Sequence, residues 1–244
     1  EFLRHRMLSR GVKSNRAIPA KVIRAEVLED PYVPVFFGRN QSGMVANNTA
    51  RFEPLARALW KGARYPAVAA HFIADKLCLG HKEWVNRLLN PWQWVRETIT
   101  ATEWDNLFAL RLHPAAQRDI QDIVELIYQA KEISQPELLA AGEWHVPYVN
   151  RERDEYNEIV YVDNDGQYLT SEQAITASAA RCARSSYDNH DKTGATLASD
   201  LKLYDMLIND NPKHASPVEH QATPFKFPYG VGLDELRSTK GATH

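Results

Sequence analysis

Cysteine is almost absent from this 244-residue chain: there are two, Cys78 in a Leu-Cys-Leu setting and Cys182 beside Arg181. Two isolated thiols form neither a disulfide framework nor a zinc pattern, which points to a reducing, intracellular compartment. Charge imbalance is also lacking. The 31 carboxylates against 29 Lys and Arg leave a formal net charge of −2, which argues against a protein that coats nucleic acid or an anionic membrane with its whole surface. Long apolar runs are missing as well. Nothing approaches the roughly 18 residues needed to cross a bilayer, and no stretch resembles a signal peptide. The expectation is therefore a soluble, cytoplasmic protein with no membrane partner. What is present is ample apolar material, 44% of the residues, enough to bury a full core.

The basic residues are concentrated at one end. Arg4, Arg6, Arg10, Lys13, Arg16, Lys21 and Arg24 crowd the first 24 positions, and the rest of the chain is organised around the run from Arg4 to Arg16. Guanidinium groups bind phosphate oxygens bidentately, and Ser hydroxyls with a close-approaching Gly backbone complete such a cradle. The residues thus suggest a site for a phosphorylated ligand; a basic arm or a solvated charged face is the alternative for any Arg-rich stretch. The chain opens on Glu1-Phe2-Leu3, directly against this run, so residues upstream and a truncated first strand are expected.

Periodicity predicts a largely helical remainder. Glu1 to Leu8 is a strand end or short helix entering an Arg-rich loop, and Pro19 starts a short helix that stops before Pro31. The span 30–48 is loop, long enough to be expected near the site. Residues 51–79 make two helices or one kinked at Pro66, and 81–89 a short helix closed by Pro91. Trp92, Trp94 and Trp104 are expected in the core. A helix over 105–112 precedes the clearest one, 115–134, with Ile120, Ile123, Val124, Ile127 and Ala130 on one face. Residues 135–168 are a connector with a small hairpin, Thr170 begins a helix to about Arg184 with capping-box character, and another runs from Leu197 to Ile208. A strand towards Phe225 is expected after His214 to His220.

Four segments resemble one family. Arg4-His5-Arg6-x-x-Ser9-x-x-x-x-Ser14-x-Arg16 looks like R-H-R-x-x-S-x-N-E-x-S-x-R-Y of the flavin-dependent thymidylate synthases. His81 to Pro91 is similar to E-x-A-R-x-x-L-P. Asn106 to Arg111 followed by Ala116 to Ile120 resembles N-F-L-x-L-R-x-x-x-x-A-Q-x-E-I, the most specific match. Ala183-Arg184-Ser185-Ser186 with His214-x-Ser216-Pro217-x-Glu219-His220 looks like A-R-V-S and H-x-T/S-P-F-E-H. The last pair precedes R-H-R in the common form and follows it here, so the resemblance is to a permuted, phage-type variant; such a cut preserves a site when the new termini lie at the surface.

The resemblance implies an α+β fold, a mixed or antiparallel sheet flanked by helices, and a single catalytic domain over 1–244: a signature half 1–134, a connector 135–169, a second motif half 170–225 and a tail 226–244. It implies reductive methylation of dUMP to dTMP with FAD, methylenetetrahydrofolate and NADPH, in a homotetramer with shared sites, in the host cytoplasm if viral. Ser14, Arg16, Arg87 (from another subunit) and Arg111 would bind the nucleotide. Arg4, His5, Arg6, Asn106, Ser216 and Glu219 would bind flavin, and Arg111 and His214 would be catalytic. Departures from the family pattern are Gly11-Val12 in place of its Asn-Glu pair, Ala17 in place of Tyr, and Thr100 and Thr102 in place of Asn and Arg. They leave open a paralogue that hydroxymethylates dUMP or another pyrimidine nucleotide. A non-catalytic nucleotide- or nucleic-acid-binding protein is the reading from a different class. The His214, Glu219 and His220 spacing is not a metal motif, because Pro217 prevents the helix one would need.

Overall fold

The computed structural model describes Phe2, His5 and residues 7–42, 45–46, 48–187 and 196–224. Arg4, Arg6, Phe225 and the tail 226–244 lie outside the described residues. Among those described, the fold is α+β. The strands are β1 (Leu8–Val12), β2 (Glu97–Ala101), β3 (Asn150–Arg153), β4 (Ile159–Val162) and β5 (Tyr168–Leu169). The helices are α1 (Ala20–Glu29), α2 (Glu53–Lys76), α3 (Lys82–Val85), α4 (Asp105–Arg111), α5 (Arg118–Ile133), α6 (Ser171–Arg184) and α7 (Leu197–Asn209). Three-residue-per-turn helices cover Asn86–Trp92, Ser185–Tyr187 and Ser216–Glu219. None of these helices is long and apolar enough to cross a membrane.

Both sheets are antiparallel and small: β1 pairs with β2, and β3-β4-β5 form a separate sheet. The middle of the Arg-rich run, Leu8–Val12, is therefore a strand rather than a loop. Its partner β2 was not anticipated, although Glu97-Thr98-Ile99-Thr100-Ala101 carries the β-branched residues that favour a pleated surface. Register runs from Leu8↔Ala101 to Val12↔Glu97, and an Arg10–Glu97 ion pair at 3.3 Å ties the two strands across the ladder.

Helix signals in the sequence translate well. Pro19 precedes α1, whose Ile23 and Val27 are fully buried. Residues 53–76 are one helix with Pro66 inside it. A full capping box, Thr170 with Gln173, starts α6, satisfying two otherwise orphaned backbone donors. Other expectations need correction. Pro91 lies inside the Asn86–Trp92 helix instead of closing the preceding one. Trp92 is buried, but Trp94 is 56% exposed. On α5, Ile120 and Val124 are buried while Ile123 faces solvent, and the segment 215–224 forms a helical turn and a single β-bridge, His145 with Ala222.

The buried side chains form three clusters. Ile18, Ile23, Val27, Leu89 and Trp92 join α1, α2 and the 86–92 helix. Leu107, Phe108, Ile120 and Val124 join α4 to α5, with Leu8 of β1 packed against them. Val146, Tyr161, Leu169, Ala174 and Ala177 weld the three-stranded sheet to α6. Strand β1 itself packs on β2 and on the Ser185–Tyr187 and Ser216–Glu219 turns, with Leu8 against the second cluster.

Candidate functional site

Three residues from two motifs meet first. His5 is buried; its Nδ1 lies 3.2 Å from Asn106 Oδ1, and Arg111 Nε donates to its Nε2 at 3.0 Å. Asn106 and Arg111 stand 101 and 106 positions from His5 in sequence and are adjacent turns of α4. Arginine is only a donor, so His5 Nε2 must accept and Nδ1 must carry the proton that Asn106 receives. The histidine thus orients an arginine.

Beyond β1, the loop containing Ser14 and Arg16 follows directly. Ser14 N donates to Ser186 O at 3.0 Å, and Arg16 N donates to Ser14 Oγ at 3.3 Å. The Arg16 side chain is exposed, with no partner among the described residues. This is the expected form of an anion-binding arginine: anchored backbone, open guanidinium. Arg87 is not brought to this loop. It is exposed, 3.7 Å from Glu83 and stacked over the Trp84 ring at 4.9 Å.

The distant carboxy-terminal motif also arrives at β1. The Ser216–Glu219 turn packs against this strand, and so does the Ser185–Tyr187 turn that ends α6. Gly11 is the contact point. A Cβ there would lie 2.6 Å from Ser185 Oγ and 3.4 Å from the Cys182 carbonyl, far inside normal contact. The departure from the family pattern at position 11 therefore has a packing reason: only glycine lets Ser185 sit so close. Ser185 is itself pinned, donating to Cys182 O at 2.7 Å.

His220 closes the junction. It is 2% exposed and pairs through Nδ1 with Thr100 Oγ1 at 2.9 Å, which ties the carboxy-terminal motif to β2. Burial, and secondarily His145, push the His220 pKa below the ordinary value; burial and then Arg151 do the same to His145. Burial pushes the Cys182 thiol up to about 12, so it is no nucleophile. His214, Ser216 and Glu219 remain exposed; His214 reaches only Asp210, at 3.2 Å. Ser216, Glu219 and the Asn106 amide nitrogen have no partner among the described residues.

A cavity of about 570 Å³ lies between the 30–48 loop and the start of α5, lined by Val35, Phe36, Pro114, Gln117 and Asp119 among others. Gln121 of that lining donates to Leu112 O at 3.2 Å, one residue past Arg111, so the long loop does sit beside the motif helix. Sequence reasoning missed Asn86 and His71 as parts of this region. Asn86 adjoins the noticed Arg87, but no local pattern marks His71, whose role depends on contacts 47 and 15 residues away. Compared with family models, with curated proteins and with solved structures, the chain matches none.

Proposed function

We propose that this chain is a flavin-dependent thymidylate synthase-like enzyme that reductively methylates dUMP to dTMP with methylenetetrahydrofolate, FAD and NADPH. The observation that carries the reading is convergence. Motif segments distant in sequence, and in permuted order, meet at β1 and the chain leading into it: His5, three residues before the strand, bonds to Asn106 and Arg111, and Ser216–Glu219 packs on the strand itself.

In this scheme Arg16 and Ser14 hold the nucleotide phosphate through charge-assisted hydrogen bonds. Arg111, held by His5, sits beside the pyrimidine oxygens and favours the negative charge that builds there, the kind of preorganised electrostatic help that is usually a large catalytic contribution. The polar atoms of Ser216 and Glu219 and the amide nitrogen of Asn106 are open and suit the hydrogen-bonding edge of a flavin. Bound reduced flavin would supply the hydride. Arg87, whose exposed side chain pairs with Glu83 and Trp84 rather than with the loop, would act in a neighbouring subunit of a homotetramer. Exposed apolar residues on α2 and α5, including Leu59, Phe72 and Leu126, favour such assembly.

A spectrum of the purified protein with and without added FAD tests the cofactor, and analysis of the product from dUMP, the folate and NADPH tests the reaction. A flavin band and dTMP are expected. A colourless protein that fails to take up FAD overturns the reading, and 5-hydroxymethyl-dUMP in place of dTMP replaces methylation with hydroxymethylation.

A further inference from the structure

The loop 14–18 turns its carbonyl groups into the protein. Ser14 O accepts from the amides of Ala17 and Ile18 at 2.9 and 3.2 Å. Asn86 Nδ2 donates to Asn15 O at 2.9 Å and to Ile18 O at 3.0 Å, and Lys82 Nζ donates to Ala17 O at 3.0 Å. An anion on the outer side therefore meets Arg16 and Ser14 with four of the loop's lone-pair groups pointing away from it.

Behind Asn86 the hydrogen bonds continue in one direction. Both hydrogens of the Asn86 amide are committed to carbonyls, so its Oδ1, 3.1 Å from His71 Nε2, must accept. His71 then carries its proton on Nε2, and its Nδ1 accepts from Arg24 Nη1 at 3.1 Å. Arg24 is in turn paired with Asp75 at 3.2 Å. His71 and Asn86 are both fully buried. An apolar pair would fill the space without the desolvation penalty of two polar side chains, whereas a fully satisfied polar network selects one conformation of what it touches.

We propose that Arg24, His71 and Asn86 form a positioning relay that holds the Ser14–Arg16 loop in the shape that binds the phosphomonoester of the nucleotide; the inference rests on the nucleotide reading above. None of the three touches the ligand. Their effect is on the phosphate and not on the base, so the quantity to follow is the ratio of deoxyuridine to dUMP dissociation constants.

Calorimetric titration of the full chain with dUMP, deoxyuridine and inorganic phosphate reads that ratio. Asn86→Asp sets a carboxylate against two carbonyls and is expected to cut the ratio by roughly tenfold or more, with deoxyuridine affinity held. If that variant does not fold, Asp75→Asn and Lys82→Met, at more accessible positions, are each expected to lower the ratio by about threefold. An unchanged ratio in folded variants overturns the relay, and so does an equal loss of both affinities, which is what a merely structural role produces. Nitrogen-15 histidine spectra of the wild type are expected to show His71 protonated on Nε2, and the Nδ1 tautomer also overturns it. Wild-type protein that binds inorganic phosphate but not dUMP removes the pyrimidine reading and leaves the relay; binding of neither removes both.

Discussion

Around the loop that follows β1, the carbonyls of Asn15 and Ile18 meet the buried Asn86 amide and that of Ala17 meets Lys82, whereas the arm from His214 to His220 is held chiefly by Pro217 and His220 and leaves His214, Ser216 and Glu219 in solvent. The first region is built before any ligand arrives; the second keeps its functional groups free to adjust. Preorganisation suits a small, rigid, doubly charged phosphate, since ordering the site in advance removes an entropic penalty from binding. Local opening free energies should differ accordingly, low in the arm and high beneath the loop.

The largest effect should come from the preorganised side. Arg111→Ala is expected to lower turnover by about 10²–10³-fold, the usual effect of removing one positioned charge donor, with the melting temperature nearly unchanged. Near-normal turnover would erase the distinction between the two regions. Next comes the seam between them. Gly11→Ala forces a methyl group onto Ser185 and should destabilise by about 1–3 kcal/mol in chemical denaturation. Pairing it with Ser185→Ala should recover a measurable part, a coupling that a double-mutant cycle isolates.

His5 sharpens the comparison from inside the rigid half. His5→Gln keeps an acceptor for Arg111 and His5→Asn keeps only a donor for Asn106, so the Gln variant should retain dUMP affinity while the Asn variant loses about tenfold, roughly one charge-assisted hydrogen bond. Equal losses would mean that Arg111 is not oriented through His5. For the arm, pH is the probe. The depressed pKa values of His220 and His145 mean the unfolded chain binds more protons below the ordinary value of 6.5. Their contribution to stability is complete above that value and is lost as pH falls towards the lower native one. Melting temperature between pH 7.5 and 5.5 should therefore fall, less steeply in His220→Gln. Smallest of all, Glu219→Gln should change stability by under about 0.5 kcal/mol, while weakening FAD binding in a fluorescence titration.

Much of the architecture was legible in advance where local chemistry decides it. The Thr170 capping box, Pro19 ahead of α1, the long helix through Pro66 and the 105–111 helix all follow from caps and spacing that act within a few residues. Strand β2 was legible too and was overlooked, because a five-residue alternation between two aromatic-rich segments is a weak signal beside them. Part of the candidate site could be listed from motifs, but its internal roles could not. That Arg111 donates to His5, for example, is visible only in the fold.

Taken alone, the sequence determined which residue types were available for phosphate and pyrimidine chemistry, and where the helices lie, since charge, capping and periodicity are local properties. Only the tertiary structure decided that Gly11 faces Ser185, that Thr100 anchors His220, and that His71 speaks through Asn86 to the loop 14–18. Those relations join residues 120 positions apart in one case and, between Gly11 and Ser185, 174 apart in another. They are set by how separate hydrophobic clusters bring distant elements together, and that packing has no counterpart in any local stretch of the chain.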